Sequence, residues 1–168
     1  MGLSASEVVL DDLRIGDAGW LIQRHAELYA EEAGFDASFE PLVARILADF
    51  LENHDPTRER GWIARAGEQR LGSIFCVKGP EAGMAKLRLF LLVPEARGLR
   101  LGQRMLTTCM EFAQAAGYDR LTLWTHESHV AACRLYAANG FSCTVSKPVH
   151  SFGVDLVEQE WLRDFRGA

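Results

Sequence analysis

Apolar positions along this chain recur with two different periods, and the switches between them mark its elements. Alternating or continuous apolar runs predict strands over residues 7–10, 62–65, 70–78, 84–93, 121–125, 141–147 and 154–161. Helical spacing predicts four helices. Trp20, Leu21, His25, Leu28 and Tyr29 share one face, up to about residue 32. Leu42, Ile46, Leu47, Phe50 and Leu51 line the inner face of a helix over 39–53. Leu101, Met105, Leu106, Cys109, Phe112, Ala113 and Ala116 do the same in the next one, and residues 130–138 form the last. Asp17 is the expected cap of the first helix, and Ala116-Gly117-Tyr118 reads as a glycine C-cap. The order is therefore strand, two helices, three strands, helix, strand, helix, two strands.

Residues 89–112 hold the most informative switch. Leu89, Phe90, Leu91, Leu92 and Val93 form a short apolar run stopped by Pro94, the pattern of a strand buried on both faces. A polar loop follows, and helical spacing starts at Leu101. Strand, tight loop and helix start together make an anion site. The first N–H groups of a helix lack partners, and the helix dipole favours negative charge there. Gly98 and Gly102 allow close approach, and Arg97 and Arg100 add positive charge. A phosphate or pyrophosphate is expected. Neither the P-loop pattern nor the dinucleotide fingerprint G-x-G-x-x-G is present.

The run Val93-Pro94-Glu95-Ala96-Arg97-Gly98-Leu99-Arg100-Leu101-Gly102 resembles the acetyl-CoA pyrophosphate loop of the GNAT superfamily, [RQ]-x-x-G-x-[GA] after a strand ending in V-x-P. It departs from that pattern at Arg100, where the family has a glycine. A second motif, Ala132 to Phe141, resembles the family's A-x-x-L-Y-x-x-x-G-F. The resemblance spans nearly the whole chain. It implies a single α/β domain over 1–168, with a mixed, mostly antiparallel sheet of six to seven strands flanked by four helices. Lys86-Leu87-Arg88-Leu89 and Ser151-Phe152-Gly153-Val154-Asp155-Leu156 look most like the GNAT domain fused to MarR-type regulators, here expected to stand alone.

What the resemblance implies about chemistry can be placed residue by residue. Leu92 and Val93 would offer backbone donors to the pantetheine and the thioester oxygen. Arg97, Gly98, Leu99, Arg100, Leu101 and Gly102 would hold the pyrophosphate. Tyr136 would protonate the leaving thiolate. The implied reaction is transfer of an acetyl group from acetyl-CoA to a primary amine of a small molecule or protein, by direct attack in a ternary complex. The helical region after the first strand would cover the acceptor site. Many relatives place a glutamate on the central strand as general base; this strand carries Lys86 and Arg88 instead. The base is left open among His126, Glu127, His129, His150 and water. A non-catalytic acyl-CoA sensor or interaction module is the alternative that the missing carboxylate motivates.

Composition narrows the partners. The 168 residues are 48% hydrophobic and 24% charged, ordinary for a globular chain. Net charge −5 argues against nucleic acid as a partner. No apolar run is long enough to span a membrane, and residues 1–7 do not read as a signal peptide, so a cytoplasmic protein is expected. A homodimer is left open. Cys76, Cys109, Cys133 and Cys143 lack metal or disulfide spacing, and Cys109 and Cys133 are expected as buried thiols. His126-Glu127-Ser128-His129 is not H-E-x-x-H, and no metal is expected.

Overall fold

The computed structural model describes residues 2–167; Met1 and Ala168, the two ends of the expected domain, lie outside the described residues. Among the described residues there are four α-helices and one seven-stranded sheet. The strands are β1 (Val9–Asp11), β2 (Arg60–Ala66), β3 (Gln69–Lys78), β4 (Met84–Leu92), β5 (Arg120–His126), β6 (Ser142–Ser151) and β7 (Val154–Asp164). The helices are α1 (Asp17–Ala33), α2 (Phe39–Asn53), α3 (Leu101–Ala115) and α4 (Val130–Ala138). The sheet order is β1-β2-β3-β4-β5-β7-β6, and only β4 and β5 run parallel. The element order is the one that the hydrophobic pattern predicts, and the sheet is mixed and mostly antiparallel, as the resemblance implies.

Each face of the sheet carries its own core. One includes Leu71, Ala85, Leu87 and Leu121 with Leu101, Met105, Leu106 and Cys109 of α3. The other packs Leu21 of α1 and Phe39, Val43, Leu47 and Phe50 of α2 against Ile63 and Phe75. The buried stripe of α2 therefore includes Val43, while Leu51, expected inside, is 52% exposed. Its position falls past the edge of the strip that the sheet covers. Cys109 is buried as expected; Cys133 is only partly so, on the side of its helix that faces the His126 carbonyl and Gln159 of β7.

Asp17 does not cap α1. It is the first helical residue, after Gly16, and is fully buried between Arg65 of β2 and Arg70 of β3. Burial alone would raise its pKa, but the Arg14 amide and the two guanidinium groups outweigh burial and hold it below the usual carboxylate range. The carboxylate thus ties the start of α1 to the sheet. The helix over 101–115 ends as its sequence predicts: Gly117 sits at φ 89, and the Tyr118 N–H bonds the Ala113 carbonyl at 3.0 Å.

The feature that opens the molecule lies in β4. Opposite β3, Ser73 pairs with Leu91 and Phe75 with Arg88, so Leu89 and Phe90 together face Ile74 alone. This is a β-bulge, with Leu89 at φ 48 and its carbonyl held by the Ser73 hydroxyl at 2.6 Å. Past the bend β4 leaves β5. Their pairing runs from Met84–Arg120 to Leu87–Leu123 and stops. Gly72 presses β3 against the far side of the bend; a Cβ there would lie 2.2 Å from the Leu91 oxygen. The run over 89–93 is consequently not buried on both faces. Leu89, Phe90 and Leu92 are only partly covered, because the parted strands leave a cleft that they line.

Candidate functional site

Two cavities of about 270 Å³ each meet in this cleft. One lies between β4 and the helices α1 and α2, reaching Lys86 and Arg88 at one end and His126 at the other. The other runs from the end of β4 to α4, past Leu92, Arg97 and Gly102. Tyr29, Phe90, His129 and Tyr136 line both cavities and form their shared wall.

The end of β4 presents one free amide. The Val93 N–H bonds the Leu71 carbonyl at 2.9 Å, and its own carbonyl accepts from Ala96 at 3.0 Å. Successive groups along a strand point to opposite sides, so Leu92 turns its N–H into the gap beside β5. Its carbonyl agrees, facing the Arg97 guanidinium at 3.4 Å. Of the two expected backbone donors, only Leu92 is available; Val93 is committed to the fold.

Beyond a single 3-10 turn, Pro94–Ala96, the loop leads into α3. The first helical bond is from Arg104 N–H to the Arg100 carbonyl at 3.1 Å. No side chain caps this end, so the N–H groups of Arg100, Leu101, Gly102 and Gln103 have no helical partner. Arg100 itself occupies the left-handed region at φ 55, as does Gly98 at φ 84. A glycine suits the Arg100 position for this reason. A Cβ on Gly102 would come within 3.3 Å of Leu92 Cδ1, so larger side chains there enter the cleft. Leu99 is half-buried against the α3 core. Arg97 reaches across to Glu32 of α1 at 2.7 Å, so its charge is shared with that carboxylate.

A family model described as the acetyltransferase (GNAT) family matches residues 22–141. The chain belongs to that family. It is 32% identical to rat N-acetyltransferase 8B over 103 residues, which is 58% of this chain and 46% of that protein. It therefore spans about half the length of its rodent relatives. Two solved structures show the same fold. A Streptococcus agalactiae acetyltransferase superposes with TM-score 0.74 at 22% identity, covering 94% of this chain and 98% of the other. The yncA structure from Salmonella typhimurium, solved with its cofactor acetyl-CoA, gives 0.72 at 14% identity, covering 94% of each.

Within this GNAT chain the four sequence-nominated bases separate cleanly. His126 and His129 stack in the cleft with ring centres 5.3 Å apart. Glu127 is exposed, with its amide tied to Val157. His150 is exposed on the β6–β7 hairpin, paired with Asp155. Burial, then repulsion from His129, lowers His126 to about 4; burial likewise lowers His129, with Glu32 and Arg97 acting in opposite senses. Both rings are neutral at pH 7.

Tyr136 is buried, and its hydroxyl makes no hydrogen bond among the described residues. Burial raises its pKa, with smaller contributions from Tyr29, Cys133 and Cys109, so the phenol stays protonated through neutral pH. Two groups escaped the sequence reading, which saw them as one apolar face of α1. Tyr29 packs 6.1 Å from His126 and 6.2 Å from His129, ring to ring, and burial pushes its phenol up to about 12. His25 is 2% exposed and gives its Nδ1 hydrogen to Leu21 at 2.8 Å; burial lowers it to about 4. The Nε2 atoms of His25 and His126 are buried with no partner among the described residues. Only an odd placement of polar residues on the α1 stripe hinted at this. Among the described residues no group of three or more His, Cys, Asp or Glu side chains is placed to hold a metal ion.

Proposed function

We propose that this chain transfers the acetyl group of acetyl-CoA to a primary amine by direct attack in a ternary complex. The observation that carries this reading is the wall that the two cavities share. One cavity leads from the uncapped start of α3 to the free Leu92 amide, the other from the surface to the histidines, and they meet at Tyr136 and His129.

The free amides of Arg100 to Gln103 bind the pyrophosphate, with Gly98, Leu99 and Arg97 shaping the loop; Arg97 exchanges Glu32 for phosphate. Leu92 donates to the thioester oxygen. The neutral amine enters beside His129 and attacks the carbonyl carbon, forming the C–N bond. The oxyanion that results is held by the Leu92 N–H, a fixed donor in a place sheltered from water. The amine proton passes to neutral His129, directly or through one water. The C–S bond then breaks, and the thiolate takes the Tyr136 proton. His129 returns a proton to the Tyr136 oxygen through water, which closes the cycle with N-acetylated amine and CoA as products.

A location in the cytoplasm fits four cysteines that are all unpaired; among the described residues no helix is long and apolar enough to cross a membrane. A second reading, an acyl-CoA sensor akin to the domain fused to MarR-type regulators, rests on the absence of a carboxylate from β4 in the cleft. The neutral imidazoles there make it the weaker one. One experiment separates them. Acetyl-CoA should raise the melting temperature, and amines should then release CoA thiol. Tyr136→Phe should lower turnover about a hundredfold while acetyl-CoA affinity changes less than about threefold. Binding without thiol release from any amine would favour the sensor.

A further inference from the structure

Lys86 and Arg88 lie on alternate positions of β4 and project to the side of the sheet covered by α2, where both line the acceptor cavity. Both are half-buried. Among the described residues neither has a carboxylate within the 4.0 Å of an ion pair. The acids that act on them, Glu160 for Lys86 and Asp49 for Arg88, lie beyond that range. Two adjacent cations in partial burial without a counter-ion repel one another and lose hydration, a cost that an anionic ligand would offset. Most other cations of this chain that are as covered have partners: Arg65 and Arg70 hold Asp17, and Arg120 holds Glu81.

Between these cations and the shared wall the cavity is apolar, with Leu42, Val43 and Ile46 of α2 facing Leu89 and Phe90. Opposite Arg88 and Leu92 on β3 stand Phe75 and Gly72, three residues apart, so at about 3.3 Å per residue Arg88 stands roughly 10 Å from Leu92. A short hydrocarbon body with an amine at one end and an acid at the other spans a distance of that order.

We infer that the acceptor is a primary amine on a short apolar body that ends in a carboxylate, with Arg88 and Lys86 binding the acid while the amine meets Tyr136 and His129. The inference rests on the acetyl-transfer reading and adds its substrate class. Arg88 can hold a carboxylate through two parallel hydrogen bonds, and Lys86 contributes a point charge. The same cations disfavour the ammonium form of an incoming amine and so favour the neutral nucleophile that the reaction needs. They also work against lysine-rich protein segments as acceptors.

Matched pairs that differ only in the acid test this: 4-(aminomethyl)benzoate against benzylamine, and 6-aminohexanoate against hexylamine. In a thiol-release assay the acid of at least one pair should be preferred by about tenfold or more in kcat/KM. Arg88→Gln should collapse that ratio, mainly through KM of the acid, and Arg88→Glu should reverse it in favour of the plain amine. Lys86→Gln should give a smaller loss of the same sign. Acetyl-CoA binding and the melting temperature of each variant report folding separately. Equal rates within both pairs, or a preference that survives Arg88→Glu, would overturn the inference while leaving acetyl transfer standing. If no amine releases thiol, the acetyl-transfer reading fails instead. Calorimetric titration of 4-(aminomethyl)benzoate and benzylamine into the CoA-loaded protein then decides the acid site: equal or absent binding of the two overturns it, and Arg88-dependent binding of the acid alone upholds it.

Discussion

The two ends of the cleft are built from different material. The end that leads to α3 is made of backbone: uncapped amides of Arg100 to Gln103, a free N–H at Leu92, and left-handed turns at Gly98 and Arg100. The end under α1 and α2 is made of side chains, with Lys86, Arg88, Tyr29 and three histidines brought in from β4, α1, the end of β5 and the β5–α4 connection. A site of backbone donors depends on chain geometry, so most side chains around it can change with little effect. A site of side chains is set residue by residue, and there a chain can acquire its own specificity without altering the fold.

Three perturbations would break or sharpen that contrast. The largest effect belongs to Gly102. Replacing it with Glu puts a carboxylate at the uncapped helix start and a side chain into contact with Leu92, whose Cδ1 would already lie 3.3 Å from a Cβ. Acetyl-CoA affinity should fall at least about a hundredfold. Normal binding by a folded Gly102→Glu protein, read by calorimetry, would mean that the amides do not hold the cofactor.

Acid should act on the other end. His25 ionises near 4 in the folded chain against 6.5 unfolded, and His126 behaves alike. Below about 6.5 the unfolded chain binds protons that the folded chain refuses. Stability therefore falls as pH drops from there to about 4, by ~3 kcal/mol for His25 alone. Melting temperatures between pH 7.5 and 4.5 check the slope, and His25→Gln should flatten it by about one proton. An identical slope in that variant would place the acid sensitivity elsewhere.

The smallest effect is expected at Arg100. A non-glycine residue at φ 55 carries a cost of about 1 kcal/mol, partly balanced by the greater freedom of glycine in the unfolded chain. Arg100→Gly should leave stability equal or up to ~1 kcal/mol higher. Acetyl-CoA affinity should drop less than about tenfold, with a weaker salt dependence. A drop as deep as that of Gly102→Glu would mean that the arginine side chain, not the backbone, dominates this end.

The same division separates what is legible in the sequence from what is not. The loop from Arg97 to Gly102 was legible because a strand stop, two glycines and a helix start are neighbours in the chain. The place of Tyr136 on α4 was legible because its motif is equally local. Asp17 was misread as a cap because its partners, Arg65 and Arg70, are about fifty residues away. Val93 was misread as a donor because the carbonyl that takes its hydrogen belongs to β3. His25 and Tyr29 passed as core residues because a helical stripe that packs on a protein core and one that lines a cavity have the same period.

By itself the sequence determined the kind and order of the elements, most of the apolar faces they bury, and the amide-rich start of α3, since hydrophobic period and turn chemistry act between near neighbours. Tertiary structure decided the rest. The bulge at Leu89 depends on how β3 and β4 register, and that bend parts β4 from β5. The parting in turn sets which side chains, from Lys86 to His129, share one cavity. Contacts of that kind join residues up to a hundred positions apart, and no local pattern encodes which of them will meet.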